Sequence, residues 1–418
     1  MAPIKLIVVG AGSRGTRYAA YALQRPDLLQ IVGVAEPRPF YRERLADEHD
    51  IAAEDVVADW RELAARPRFA DGVIIATQDA QHADPAVAFA ELGYHMLLEK
   101  PMAPSEAECR RIIAAVERAG ILFAVCHVMR YTRYTAALKA LVAGGRVGEI
   151  ASIQHLEPVG YWHQAHSFVR GNWRNTAESS PMLLAKSCHD LDWIRYIMGK
   201  PCVQVSSFGS LRHFRAAERP AGAADRCLDC AIEAECPYSA ARFYLGRLRA
   251  GQHGWPLDVI TSEISERAVI AALREGPYGR CVYACDNDVV DHQVVSMRFA
   301  DDSSASFTMT AFTRARDRET RIFGTRGEIY GDGRTIEVFD FLTNQTERIE
   351  VDPAADGSIL SGHGGGDQGI IESFVAALAQ NDPAKILSGP AETLETHLMV
   401  FAAERARFNG EVVDVSLR

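Results

Sequence analysis

The sequence predicts an α/β fold whose N-terminal part is a doubly wound parallel sheet, with a second domain behind it. Three observations predict this. Short β-rich runs alternate with helical patterns over residues 4–126, and a G-x-G-x-x-G follows the first run. The chain's 418 residues also exceed what one core organises, at roughly 100–200 residues per domain. The runs Ile4–Val9, Ile31–Ala35, Gly72–Thr77, His95–Leu98 and Leu122–Cys126 read as buried strands. Arg14–Gln24, Asp84–Leu92 and Glu106–Ala119 carry a helical period between them and belong on the faces of the sheet. The boundary falls at residue 126, which gives a dinucleotide-binding domain over 1–126 and a second domain over 127–418.

Composition narrows the classes. Hydrophobic residues make up 48% and charged residues 24%, the proportions of a globular chain rather than a disordered or fibrous one. A net charge of −10 argues against a generic nucleic-acid partner. No apolar run approaches the roughly 18 residues that span a bilayer, so no membrane partner is expected. Ile4–Val9 runs directly into Gly10, Gly12 and Gly15, which suits a first strand better than a signal peptide, and the expected location is the cytoplasm. Nine scattered cysteines, an odd number, do not form a disulfide framework.

The first loop reads Gly10-Ala11-Gly12-Ser13-Arg14-Gly15, with Glu36 at the end of the next strand. Gly10 permits the tight turn, Gly12 lets a pyrophosphate approach the backbone, and Gly15 allows close helix–strand packing. The helix N-terminus offers free N–H groups to phosphates, and Glu36 suits a ribose 2′-hydroxyl while repelling a 2′-phosphate. NAD is therefore expected over NADP, with Arg38 nearby as the residue that argues the other way. Two further strands end in Thr77, followed by His82, and in Glu99-Lys100-Pro101. Both ends lie at the edge where such sheets bind ligands, so Thr77, His82, Glu99 and Lys100 join Ser13 and Arg14 as candidate cofactor contacts. A lysine there can orient a hydroxyl or shift a proton. The plainer readings are a surface ion pair for Glu99-Lys100 and a helix start for His82.

These residues together resemble the glucose–fructose oxidoreductase/inositol dehydrogenase (Gfo/Idh/MocA) family, over the whole chain. The resemblance implies a Rossmann domain followed by an α+β domain with an open, mostly antiparallel sheet. It also implies a small sugar or polyol bound between the two, hydride transfer with NAD(P), an active-site Lys100, and homodimers or homotetramers. The family's second signature is an Asp and a His four residues apart. Here Ala185 stands at the Asp position and His189 at the His position, with Lys186 beside the missing carboxylate. By resemblance His189 is the candidate general acid/base, with Lys100 and Lys186 as active-site cations. Asp190 or Asp192 is an alternative partner for the His189 ring.

In the second domain, Tyr161-Trp162-His163-Gln164-Ala165-His166 and Arg170-Gly171-Asn172-Trp173-Arg174 mix aromatic rings with hydrogen-bond donors. Such a surface suits sugars, whose C–H faces stack on rings. His163, His166, Arg170, Trp173 and Arg174 are candidate substrate contacts, and Arg130 and Tyr131 are weaker ones. The glycine run Gly362–Gly366 places His363 on a segment able to act as a flap over the ligand. Residues 210–260 read as an insertion in which Cys227, Cys230 and Cys236 have zinc-ligand spacing. His213 is the expected fourth ligand, ahead of His253 and Cys202. Reduced thiols, a redox pair and an iron–sulfur cluster compete with structural zinc. The leading function is an NAD-dependent sugar or polyol oxidoreductase. The alternatives are an NAD-dependent glycosidase working by transient oxidation and elimination, possibly on an anionic sugar, and a non-catalytic sugar- or NAD-binding sensor.

Overall fold

The computed structural model describes residues 2–352 and 363–415. Six strands form the first sheet: β1 (Ile4–Val9), β2 (Leu29–Ala35), β3 (Val56–Val57), β4 (Gly72–Ile75), β5 (His95–Leu98) and β6 (Phe123–Val125). They pair in parallel in the order β3-β2-β1-β4-β5-β6. Successive residues of β1 point to opposite faces, and both faces are apolar. Leu6 and Val8 enter one core with Tyr18, Ala19 and Leu45, whereas Ile7 and Val9 enter another with Phe89 and Ile112. Helix Glu106–Ala119 starts where the Ser105 hydroxyl accepts the Glu108 N–H, and it stops at Gly120, whose φ is 62°.

The second sheet contains β7 (Ile150–Pro158), β8 (Cys202–Ser210), β9 (His292–Phe299), β10 (Ser304–Thr310), β11 (Glu319–Gly324), β12 (Gly327–Gly331), β13 (Thr335–Asp340), β14 (Gln345–Glu350) and β15 (Val413–Asp414). Its order is β14-β13-β12-β11-β7-β10-β9-β8-β15, antiparallel except where β10 runs beside β7. Helix Cys188–Met198 lies on the inner face, with Leu191, Ile194 and Ile197 packed among Ile153, Val295 and Phe307. Among the described residues, no helix is long and apolar enough to cross a membrane.

The chain after residue 363 returns to the first sheet. Helix Gly366–Gln380 places Ile370, Ile371, Phe374 and Val375 in the core that holds Leu6 and Val8. The last helix, Pro390–Asn409, packs against β8 and against helices Glu106–Ala119 and Cys188–Met198, so it touches both halves. Two polar contacts pin this junction. Arg130, just past β6, donates to both Asp192 carboxylate oxygens at 2.7 Å, and Thr396 Oγ1 donates to Asp192 at 3.0 Å. The Tyr131 hydroxyl bonds Ser388 at 2.9 Å. Arg130 and Tyr131 are thus spent on the domain junction, which corrects their expected role as substrate contacts.

Between β8 and β9, the cysteine-rich segment folds around its own apolar core of Cys227, Ala240, Tyr244, Leu257, Val269 and Leu273. Among the described residues, no group of three His, Cys, Asp or Glu side chains is arranged to hold an ion. His213 Nε2 instead bonds the Tyr283 hydroxyl at 3.0 Å. Cys227 Sγ accepts from the Ala240 N–H at 3.4 Å and from Arg170 at 3.5 Å. Cys227, Cys230 and Cys236 face one small cavity together with Cys281. The expected zinc set of His213, Cys227, Cys230 and Cys236 is not shown among the described residues, and His213, its expected fourth ligand, is engaged by Tyr283.

Two buried histidines at the junction predict an acid limit on stability. His397 Nε2 accepts the Met102 N–H at 2.8 Å, while its Nδ1 donates to the Thr393 carbonyl at 2.8 Å. Burial, the first cause in each case, lowers His127 to about 3 and His397 to about 4. In the unfolded chain both take up a proton near pH ~6.5. Between these limits the unfolded state binds more protons, so stability falls on acidification through this window. The slope is up to about 1.4 kcal/mol per pH unit for each ring. Calorimetric Tm values should fall steadily between pH ~6.5 and ~4. His397→Gln should make that slope shallower, and an unchanged slope would remove His397 from the account.

Candidate active site

The glycine loop is built as the sequence predicts. Gly10 has φ +93°, and a Cβ there would lie 2.5 Å from the Ala76 carbonyl oxygen. A Cβ on Gly15 would meet the Gly10 carbonyl at 2.0 Å. At Gly12 the nearest atom to such a Cβ is 3.4 Å away, so the surface of the loop is open there. Helix Ser13–Gln24 begins at Gly12 with no side-chain cap, which leaves its first N–H groups and dipole facing outward. Glu36 Oε2 accepts the Ala11 N–H at 2.9 Å, and Arg38 donates to both Glu36 oxygens at 2.7 and 3.0 Å. Burial opposes ionisation of Glu36, but the hydrogen bonds and charge of Arg38 outweigh it and hold the carboxyl below its ordinary range. A pyrophosphate fits this cradle, while Glu36 beside it is held on both oxygens by Ala11 and Arg38.

Arg14 and Glu99 do a different job from the expected cofactor contact. Arg14 Nε donates to Glu99 Oε1 at 2.5 Å, and its other nitrogens reach Asp367 at 2.7 and 3.1 Å. Glu99 also accepts from the Tyr18 hydroxyl at 2.7 Å and the Lys100 N–H at 2.7 Å. Its carboxylate is full, and the Glu99-Lys100 surface ion pair does not form. His82 is likewise occupied, its ring lying 2.8 Å from the Pro101 carbonyl and 3.3 Å from that of Thr77. Glu99 and His82 therefore shape the cleft from behind rather than facing it.

Lys100 crosses to the second domain, where Nζ donates to the Ala185 carbonyl at 2.7 Å. The backbone of Ala185 thus meets the ammonium at a position that lacks a carboxylate. Lys186 Nζ lies 3.1 Å from Glu157 Oε1, and Arg318 Nε lies 2.7 Å from both Glu157 Oε2 and Asp190 Oδ1. Burial opposes charge on Lys186 and lowers its pKa, although Glu157 partly offsets this. At Arg318 the same burial is overcome by Asp190 and Glu157, and its pKa is raised. Asp190 also faces His155 Nε2 at 3.2 Å, while Asp192 is held by Arg130. Neither carboxylate orients His189. That ring is buried and its Nδ1 has no hydrogen-bond partner. Burial first, then Lys100, push its pKa well below the ordinary histidine range.

His363 stands 6.1 Å from His189, ring centre to ring centre, and its Nδ1 is 3.0 Å from Asp367 Oδ1. His363 and Gly364 border a cavity of about 500 Å³ whose walls include His155, Trp193, Arg318 and Thr320. Gly362 lies outside the described residues. His163 sits close enough to Lys186 and Lys100 for their charges, after burial itself, to press its pKa down.

Of the other aromatic-loop candidates, His166, Arg170 and Trp173 turn inward, while Arg174 pairs with acidic residues at the surface. Gln164–Arg170 winds as a buried π-helix. His166 Nδ1 bonds the Tyr244 hydroxyl, and its ring stacks on Tyr278 at 4.8 Å. Arg170 donates to the Arg280 and Tyr238 carbonyls at 2.7 and 2.8 Å, and Arg174 forms a two-point pair with Asp286 at 2.9 Å. Trp173 packs against Phe168 and the second-domain core. These bonds correct His166, Arg170, Trp173 and Arg174 to structural roles. Arg318 and Asp367 were missed. Arg318 lies in Arg314-Ala315-Arg316-Asp317-Arg318, which carries no motif, and only the four-residue spacing of His363 and Asp367 signals that pair.

Comparison with known proteins agrees with this architecture. Residues 4–127 match the oxidoreductase family, NAD-binding Rossmann fold, and residues 139–415 match that family's C-terminal alpha/beta domain. A 2,7-anhydro-N-acetylneuraminate hydratase of Mediterraneibacter gnavus is 26% identical over 209 residues, 50% of this chain and 53% of that one. The chain spans about half the length of the first curated relatives it matches, between 51% and 54%. A levoglucosan dehydrogenase in complex with NADH and L-sorbose superposes with TM-score 0.72 at 20% identity, covering 100% of both chains. An oxidoreductase from Agrobacterium radiobacter gives 0.71 at 16%, over 99% of this chain and 98% of that one.

The Arg14–Glu99 pair makes a stability prediction. Glu99→Ala leaves a largely enclosed guanidinium short of one partner and should cost about 1–3 kcal/mol in urea unfolding, discounted for the partial exposure of Arg14. A double-mutant cycle with Arg14→Ala should return a coupling of at least ~1 kcal/mol. Simple additivity would show that the pair contributes nothing of its own.

Proposed function

Because the chain belongs to the Gfo/Idh/MocA oxidoreductase family, we propose that it is an NAD-dependent enzyme oxidising a carbinol carbon of a sugar or polyol. The observation that carries this reading is Lys100. It stands at the end of β5, beside the glycine-loop cradle, and reaches 2.7 Å to the second domain at Ala185. Bound NAD supplies the hydride acceptor. Lys100 then steadies the substrate oxygen, and Arg318 and His163 lie close enough to fix other hydroxyls. Glu36 favours NAD over NADP, because a 2′-phosphate would meet its held carboxylate.

The arrangement of carboxylates supports a second, related reading. Glu157, Asp190, Asp192 and Asp367 are each paired with a cation, so these four supply no pair of free carboxylates to flank a bond as ordinary glycoside hydrolysis requires. If the substrate is a glycoside, cleavage runs by transient oxidation and elimination with no net redox change, and the hydratase among the relatives fits that chemistry. A sensor without catalysis is the third reading. For assembly we place a self-contact on the outer face of the second sheet, where Phe208 and Val294 pair in register and are 72% and 40% exposed.

One assay separates these readings. Purified protein with NAD is offered free sugars and polyols, including levoglucosan and scyllo-inositol, and aryl glycosides. Net NADH marks the oxidoreductase, phenol release without net NADH marks the glycosidase, and tight NAD binding with neither marks the sensor. Lys100→Ala should lower kcat by about 10²–10⁴-fold. NADP should require at least about tenfold higher concentration than NAD, and Glu36→Ala should narrow that gap. Equal use of the two cofactors by the unaltered protein would refute the role given to Glu36.

A further inference from the structure

Asp367 is fully buried in the first turn of helix Gly366–Gln380, where the helix dipole favours negative charge. Arg14 reaches both its oxygens, and Arg17 adds a contact at 3.3 Å. Burial opposes the charge on Asp367, but Arg14 and His363 together hold its pKa well below the ordinary carboxylate range. An ionised carboxylate only accepts hydrogen bonds. The proton shared at 3.0 Å therefore belongs to His363 Nδ1, and Nε2 of the neutral ring carries a free lone pair.

The contrast with His189 gives this pair its meaning. Of the two neighbouring rings, His189 has an orphaned Nδ1, and the carboxylates next to it in sequence face other cations. Of these two, His363 alone has a carboxylate behind it to steady an imidazolium; His155 on the same cavity faces Asp190, but its other nitrogen is taken by Thr320 Oγ1 at 2.7 Å. Its side chain is 42% exposed and borders the cavity of about 500 Å³ alongside Arg318. The charged and titratable groups facing it are Asp367 from the helix that follows it, Arg14 from helix Ser13–Gln24, Arg318 just before β11, and His189, while Arg17 of helix Ser13–Gln24 touches Asp367.

We infer that His363, oriented by Asp367, is the general base of this site, and that His189 is a neutral neighbour. This inference rests on the oxidoreductase reading above. In the step, the substrate O–H bond breaks and its proton passes to His363 Nε2. The electron pair left on oxygen closes the second C–O bond. The C–H bond breaks with its hydrogen and both electrons leaving to NAD, so the substrate loses one proton and one hydride. Reduction runs the same transfers backwards, with His363 as the acid. Asp367 behind Nδ1 steadies the ring once Nε2 has taken up the proton.

The test has two parts, both on the full chain. ¹⁵N-histidine NMR, with the His363 signal assigned by its loss in His363→Ala, should show the Nδ1-protonated tautomer at neutral pH. Asp367→Asn should lower the ring's pKa. In NADH assays with levoglucosan and scyllo-inositol, His363→Ala should lose about 10²–10⁴-fold in kcat, with KM and NAD affinity little changed and activity partly restored by added imidazole. His189→Ala should lose far less. An Nε2-protonated ring, or a larger loss for His189→Ala than for His363→Ala, would overturn the assignment. Wild-type silence on every sugar would refute the oxidoreductase reading instead, and the tautomer would then decide for or against the Asp367–His363 pair.

Discussion

The guanidinium of Arg14 holds together three parts of the chain that are far apart in sequence. Its partners Glu99 and Asp367 lie 85 and 353 positions away. Two carboxylates removed from water are costly unless a cation satisfies them, and one planar fork serves both. The consequences run outward from this contact. Glu99, fixed by Arg14 and Tyr18, accepts the Lys100 N–H and so sets where that lysine leaves the sheet. Asp367, fixed by the same fork, sets the face that the His363 ring presents. The glycine loop that carries Arg14, the lysine and the imidazole are thus positioned by one cluster.

A broader pattern of paired charge narrows the chemistry. Glu157, Asp190, Asp192 and Asp367 are each answered by an arginine or lysine, and beside them the His189 ring keeps an open nitrogen. Such a site stabilises negative charge on oxygen and accepts protons, and it is ill suited to covalent attack by a carboxylate. That follows from the pairing rather than from net charge, which is −10 for the whole chain and says nothing about the cavity.

The first domain was legible because its signals are local. A strand that is apolar on both faces, a turn that only glycine fits, and an acidic residue at the next strand end are each written within a few residues. The family resemblance extended that reading to Lys100 and to a mostly antiparallel second sheet. Long-range pairing was not legible. Arg130, Arg170 and Arg174 look the same in sequence whether they face a ligand or a buried carbonyl, and each finds its partner more than 60 positions away. Three cysteines at zinc spacing likewise say nothing of the apolar core that folds their segment. The four-residue step from His363 to Asp367 was visible, but a glycine run hid its helical geometry.

The return of helix Gly366–Gln380 to the first sheet has a consequence for how the protein comes into being. Leu6, Val8 and Ile74 find part of their apolar cover only in Ile370, Ile371 and Phe374. A ribosome-bound chain that has produced only the first domain covers that face with Tyr18, Ala19 and Leu45 but leaves the part met by Ile370, Ile371 and Phe374 open to water. Completion of the N-terminal core therefore waits for helix Gly366–Gln380 to be synthesised, long after the last strand of the first sheet.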